Sequence, residues 1–221
     1  KKILLVLKAD SFVFMIIKKF KVAVTGSIGS GKSTFCNFIT EAGFNVIKAD
    51  DISKKILKED EDVRKKVIRE FGKDSFINKE INKKFLAEKI FSDAINVARI
   101  NSILHPKVKR EVEQLIQEEL KKNHLVFVEA ALIYEAEMEN MFDYVVLITA
   151  VSSVREKRIV TSGKLNNEEF RKRDENQIKD EEKKKRADFI FENNGNTKEL
   201  KQKANLLIKI LEGLGSKTNN K

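Results

Sequence analysis

The stretch KVAVTGSIGSGKSTFCNFI, Lys21 to Ile39, constrains the fold more than any other part of the chain. An apolar run, Val22-Ala23-Val24, leads into Gly26, Gly29 and Gly31, followed at once by Lys32 and Ser33. Beyond them Phe35, Phe38 and Ile39 recur at helical spacing. A strand therefore enters a glycine-rich turn and the turn opens into a helix. Glycines let the backbone take conformations closed to residues with a Cβ. Successive N–H groups then converge on phosphate oxygens, and the helix N-terminus adds partial positive charge. In such a loop Lys32 reaches the outer phosphates and Ser33 offers its hydroxyl to Mg²⁺. The feature says nucleotide; it does not say which reaction.

Apolar runs and helical patterns alternate through the rest of the chain. Strands are expected at Lys21–Thr25, Asn45–Lys48, Leu125–Glu129, Tyr144–Thr149 and Phe189–Glu192. Alternation of this kind predicts an α/β domain, a parallel five-stranded sheet covered by helices on both faces. Between the second and third strands, residues 52–123 read almost wholly as helix, with Val63, Val67, Ile68 and Phe71 at helical spacing. A crossover that long predicts a helical subdomain. Pro106, the sole proline, suits the first turn of a helix running to about Lys122.

Composition narrows the class. Lys and Arg total 44 against 34 Asp and Glu, a net charge of +10. The basic residues are interleaved with acidic ones, as in KDEEKKKRAD, which fits a solvated helical surface better than a nucleic-acid face. Cys36 is the single cysteine, so no intrachain disulfide can form, and His105 and His124 are too few for a zinc cluster. The opening KKILLVLKADSFVFM is broken by Lys8 and Asp10, which fits neither a secretory signal nor a membrane span. Residues 1–14 are expected to be an extra segment outside the fold, residues 15–221 a single domain, and the compartment the cytoplasm.

In an open parallel sheet, ligands gather beyond the carboxyl ends of the strands. The second strand ends in IKADD, which places Asp50 and Asp51 at that edge. A carboxylate there can accept the proton of an attacking hydroxyl or help to hold Mg²⁺; the alternative is that it caps the following helix. The charged stretch 152–186 carries Arg155, Arg158, Arg171, Arg173 and Arg186 among Glu and Lys. It reads either as a lid that brings arginines onto a transferring phosphate or as exposed, salt-bridged helices.

Taken in order, TGSIGSGKST, FNVIKADDI, LHPKV, FVEAALIYE, ITAVSSVREKR, the glutamine of RDENQI and RADFIFENNG resemble the dephospho-coenzyme A kinase family, from about Lys19 to Gly195. The resemblance implies a three-layer P-loop kinase fold with a helical acceptor-binding insert at about 58–104 and a helical lid at about 152–186. It implies transfer of phosphate from ATP, with Mg²⁺, to the ribose 3′-hydroxyl of dephospho-coenzyme A, the last step of coenzyme A synthesis. Residue by residue it assigns ATP binding to Gly29, Ser30, Gly31, Lys32, Ser33 and Thr34, with Ser33 on the metal. Asp50 falls on the catalytic base, His105 faces the acceptor together with Asp50, and Lys32 and Arg158 join the catalytic set. Arg173 and Gln177 fall on the lid pattern, and Asn193 to Gly195 lie near the nucleotide base. The chain departs from the pattern at Lys48, usually acidic, at Ala131, usually proline, and at Ser162, commonly arginine. ATP and dephospho-coenzyme A are the expected partners, with no nucleic acid or membrane; a monomer is compatible with these expectations. The rival readings are another P-loop nucleoside or nucleotide kinase, and a regulatory GTPase or nucleic-acid-dependent ATPase. LVFVE, Leu125–Glu129, loosely resembles the second nucleotide motif of such ATPases, and NKEI at Asn78 is the nearest string to a guanine motif.

Overall fold

The computed structural model describes residues 3–8 and 11–218. Five strands form the central sheet: β3 (Phe20–Thr25), β4 (Val46–Lys48), β7 (Leu125–Glu129), β8 (Tyr144–Thr149) and β9 (Phe189–Glu192). Their spatial order is β4-β7-β3-β8-β9, and every neighbouring pair is parallel. The five strands read from the sequence are all present, with ends moved by at most a residue.

Alternation along the strands divides the core into two faces. Phe20, Val22 and Val24 point one way, with Leu125 and Phe127, and pack against α1 (Lys32–Glu41) and α9 (Thr197–Gly215). Ala23, Val126, Val128 and Val145 point the other way and are covered by Val108, Val112 and Ile116 of α5 (Ala94–Lys122). Burying both faces explains why these strands read as unbroken apolar runs.

Between β4 and β7 lie α2 (Ala49–Glu59), α3 (Glu61–Phe71), α4 (Lys83–Ile90) and α5. Val63, Val67, Phe71, Leu86, Ile100 and Leu104 form a separate small core there. The segment also contains a hairpin, β5 (Phe76–Ile77) with β6 (Glu80–Ile81), that helical spacing does not anticipate. Its turn is Asn78-Lys79, both at positive φ (51° and 70°), as a two-residue hairpin loop demands. The NKEI string is thus a hairpin turn, away from the sheet edge.

Pro106 lies inside α5, twelve residues past its first residue Ala94, rather than in a first turn. Asp93 starts that helix by accepting from the Asn96 N–H. Apolar contacts carry it through the proline: Ile100 and Leu104 bury in the insert core, Val108 and Val112 on the sheet. Packing on both sides outweighs the lost hydrogen bond.

At the N-terminal end, β1 (Ile3–Lys8) and β2 (Ser11–Ile17) pair antiparallel, and β2 also pairs with β10 (Ser216–Thr218). This three-stranded sheet shares no strand with the central one. The boundary expected at residue 15 falls inside β2, and residues 3–8 and 11–14 of the segment expected to lie outside the fold are strand. Residues 1, 2, 9 and 10 of that segment lie outside the described residues.

Candidate active site

The carboxyl end of β3 runs directly into the glycine loop, and α1 starts at Lys32 with Gly31 as its N-cap. Gly31 is left-handed (φ 94°), and no side chain caps the helix, so its first N–H groups are left to a ligand. At two positions glycine is required by contact as well as conformation. A Cβ on Gly29 (φ 78°) would stand 2.6 Å from the Arg155 carbonyl oxygen, and one on Gly31 would stand 2.2 Å from Asn193 Nδ2. The loop is pressed between the start of the charged segment on one side and the end of β9 on the other. Asn193 also donates to the Ser30 carbonyl at 2.8 Å.

Glu129, the last residue of β7, is 5% exposed and faces the loop. Its Oε1 accepts from Ser33 Oγ at 2.5 Å and from Lys32 Nζ at 3.3 Å. Its Oε2 is buried with no partner among the described residues. An orphaned carboxylate oxygen beside a serine hydroxyl is a hard-oxygen donor set that suits Mg²⁺, which takes only a few protein ligands and fills the rest with phosphate and water. LVFVE thus ends in a buried Glu129 that contacts both Lys32 and Ser33.

Asp50 sits in the first turn of α2, two residues beyond Lys48, and Lys48 is paired in register with Glu129. The Asp50 side chain makes no hydrogen bond among the described residues, so it does not cap α2, whose N-cap is Lys48. Its neighbour Asp51 turns outward and pairs with Lys54 at 2.8 Å, which holds the Asp51 carboxyl below its usual range. Asp50 and His105 line one cavity of about 70 Å³ with Ser53, Asn101, Leu132 and Met138. Burial pushes the His105 imidazole down, and the Glu135 carboxylate pulls it partly back.

The charged segment folds as α6 (Ser152–Thr161), α7 (Asn167–Glu175) and α8 (Asp180–Arg186). Asn166 and Glu169 form a reciprocal capping box at the start of α7. In α8 three acidic residues precede four basic ones, which matches the helix dipole. Arg155 of α6 is buried: it pairs with Asp174 through both nitrogens (2.5 and 3.3 Å) and donates to the Ile28 carbonyl at 3.2 Å. Gln177 accepts from the Ile28 N–H at 2.9 Å. Arg158 points elsewhere, 3.5 Å from the Gly195 carbonyl, with its Nη1 buried and unpartnered among the described residues. Arg173 stands over the Phe91 ring at 4.9 Å, where a cleft of about 740 Å³ separates α4 from α7. Burial lowers the Arg173 guanidinium from its ordinary value, opposed by Glu169.

The structure thus brings Lys32, Ser33 and the loop glycines together and adds Glu129, Arg155, Asp174 and Gln177 to them. It brings Asp50 to His105. It sets Arg158 beside the Asn193–Gly195 turn rather than on the loop. Among the described residues no helix is long and apolar enough to cross a membrane.

Residues 20–199 match the family model described as Dephospho-CoA kinase. A dephospho-CoA kinase of Protochlamydia amoebophila is 34% identical over 200 residues, covering 89% of this chain and 98% of that protein. A solved dephospho-CoA kinase from Campylobacter jejuni is 33% identical with a TM-score of 0.66, covering 88% of this chain and 98% of its own. A shikimate kinase from Acinetobacter baumannii, 12% identical with a TM-score of 0.55 over 91% of this chain and 98% of its own, shares the fold.

Proposed function

The chain belongs to the dephospho-CoA kinase family, and on that premise we propose that it moves the γ-phosphoryl group of ATP to the ribose 3′-hydroxyl of dephospho-coenzyme A, giving coenzyme A and ADP. One observation carries the assignment of roles. Lys48 pairs in register with Glu129, so Asp50 emerges at the same sheet edge where Glu129 holds Lys32 and Ser33. A free carboxylate beside a small cavity and a phosphate cradle then meet along one edge, which is what in-line transfer needs.

In this reading the loop N–H groups and the N-terminus of α1 bind the ATP phosphates, and Lys32 neutralises charge at the outer ones. Ser33 and Glu129 would hold Mg²⁺, which would supply charge neutralisation for the phosphates when bound. Asp50 orients the acceptor hydroxyl and takes its proton, and His105 supports the acceptor in the shared cavity. Burial favours a neutral imidazole at His105, which can donate or accept there without repelling the basic cradle. Arg158 turns from Gly195 toward the γ-phosphate once the nucleotide is seated, and α6–α8 serve as the lid. The insert between α2 and α5 presents the acceptor, and the place of action is the cytoplasm.

ADP release from Mg-ATP tests the reading, with dephospho-coenzyme A, adenosine and common nucleoside monophosphates in parallel. Release only with dephospho-coenzyme A, with coenzyme A as product, is the expected result. Release with a monophosphate alone would move the chain to a different acceptor on the same fold.

A further inference from the structure

Lys183 has no exposed surface at all, in a helix where its neighbours Lys184, Lys185 and Arg186 reach solvent. Its Nζ lies 3.3 Å from Ser27 Oγ and 3.7 Å from Glu135 Oε1. One turn earlier in α8, the Asp180 carboxylate accepts from Ser27 Oγ through one oxygen and from Thr149 Oγ1 through the other, each at 2.5 Å. Glu135 in turn accepts from the Ile178 N–H at 2.9 Å. The hydroxyl of Ser27, in the first half of the glycine loop, is thus held from both sides: it donates to Asp180 and accepts from Lys183.

Burying charge in this way costs several kcal/mol per ion before pairing repays it, and apolar replacements often serve stability as well or better. Fold stability alone does not account for a fully buried lysine. Burial lowers the Lys183 ammonium from its ordinary value; Glu135, Asp180 and Asp174 oppose that and Arg155 adds to it. What the cluster fixes is position. Ser27 is 4% exposed, and its carbonyl accepts from the Ser30 N–H at 3.0 Å, closing the turn of the loop. Ile28 is tied through its N–H to Gln177 and through its carbonyl to Arg155. None of these contacts caps the N-terminus of α1.

We propose that Lys183 is a positioning residue for the triphosphate: with Asp180 it locks the Ser27 hydroxyl, and through Ser27 it sets the shape of the glycine loop without touching the nucleotide. The proposal rests on the kinase reading for the identity of the nucleotide, but its test needs no acceptor.

The full chain is titrated with Mg-ATP as the parent, as Lys183→Met, as Ser27→Ala and as the double variant. Each single change is expected to weaken ATP binding by about tenfold, the size of one charge-assisted hydrogen bond. The double variant is expected to lose no more than Ser27→Ala alone, because Lys183 acts through the hydroxyl that this change already removes. Where turnover is measured, KM for the acceptor stays at the parent value. A Lys183→Met protein with a lowered melting temperature and unchanged ATP affinity would overturn the proposal and leave Lys183 a packing residue. Losses that multiply to about a hundredfold in the double variant would also overturn it, since Lys183 would then act by another route. If Lys183→Met does not fold, Ser27→Ala decides alone: unchanged ATP affinity sinks the idea. A parent that binds ATP but turns over no dephospho-coenzyme A would count against the acceptor and leave this inference intact.

Discussion

The two halves of the site are built differently. On the side proposed for the nucleotide the glycine loop is tied by Arg155, Gln177, Asp180 and Asn193, and Glu129 accepts from Lys32 and Ser33. On the side proposed for the acceptor, Asp50 is exposed and unpartnered among the described residues, and the cavity it shares with His105 is walled largely by apolar side chains. One half is preorganised by buried hydrogen bonds; the other is left free to receive its ligand. Preorganisation suits a partner common to many reactions, whereas the acceptor side must fit one hydroxyl among many.

The contrast is broken most directly at Asp50. Asp50→Asn should lower kcat by about 10²- to 10⁴-fold, the range of a general base, and leave ATP affinity near the parent value. Parallel loss of both in a coupled ADP assay and an ATP titration would make Asp50 part of the nucleotide half instead. Next in size is Arg155→Ala, which strands Asp174 in a half-buried site and frees the Ile28 carbonyl. It should cost about 3 kcal/mol, read from the urea midpoint. A cost below about 1 kcal/mol would mean that the clamp contributes little to the fold.

Gly29→Ala forces a Cβ into left-handed backbone against the Arg155 carbonyl. A loss of about 2 kcal/mol in stability is expected, together with weaker ATP binding. Unchanged ATP binding would show that the loop tolerates displacement, contrary to its dense anchoring.

His105 gives a smaller, pH-dependent effect. Its folded-state proton affinity is lowered, so the unfolded chain takes up the proton first. Stability is fully present above the ordinary value of 6.5 and declines as pH falls below it through the folded value. His105→Gln should flatten that decline in melting temperature measured between neutral and mildly acidic buffers. Least of all, Asp51→Asn removes only an exposed pair with Lys54 and should change stability by less than about 0.5 kcal/mol. Its kcat should match the parent, in contrast to the adjacent Asp50.

The same contrast governs what could be read without coordinates. A phosphate cradle imposes residue types at fixed spacing, so the loop and its strand stand out, whereas Asp50 is placed by the end of the second strand and by the family resemblance. The buried network of Arg155, Asp174, Asp180 and Lys183 does not stand out, because it is drawn from a run of charged residues whose composition suits a solvated surface. Lys183 and Lys185 are the same residue two positions apart; only the face on which each falls separates 0% from 68% side-chain exposure. The helix through Pro106 was hidden for a related reason: local preference argued for a start, and packing on two separate cores overrode it. The Asn78-Lys79 turn lacked the glycine that marks such hairpins most clearly.

The long helix α5 carries that last point into mechanics. At 29 residues it is about 44 Å long, and it belongs to both cores, the insert's before Pro106 and the sheet's after it. It acts as a cantilever: anchored on the sheet at Val108, Val112 and Ile116, it bears the insert at its free end. Pro106, which has no N–H to give the helix ladder, falls at the point of support. His105 stands next to Pro106, so the place where the helix passes from one core to the other is also a wall of the cavity lined by Asp50.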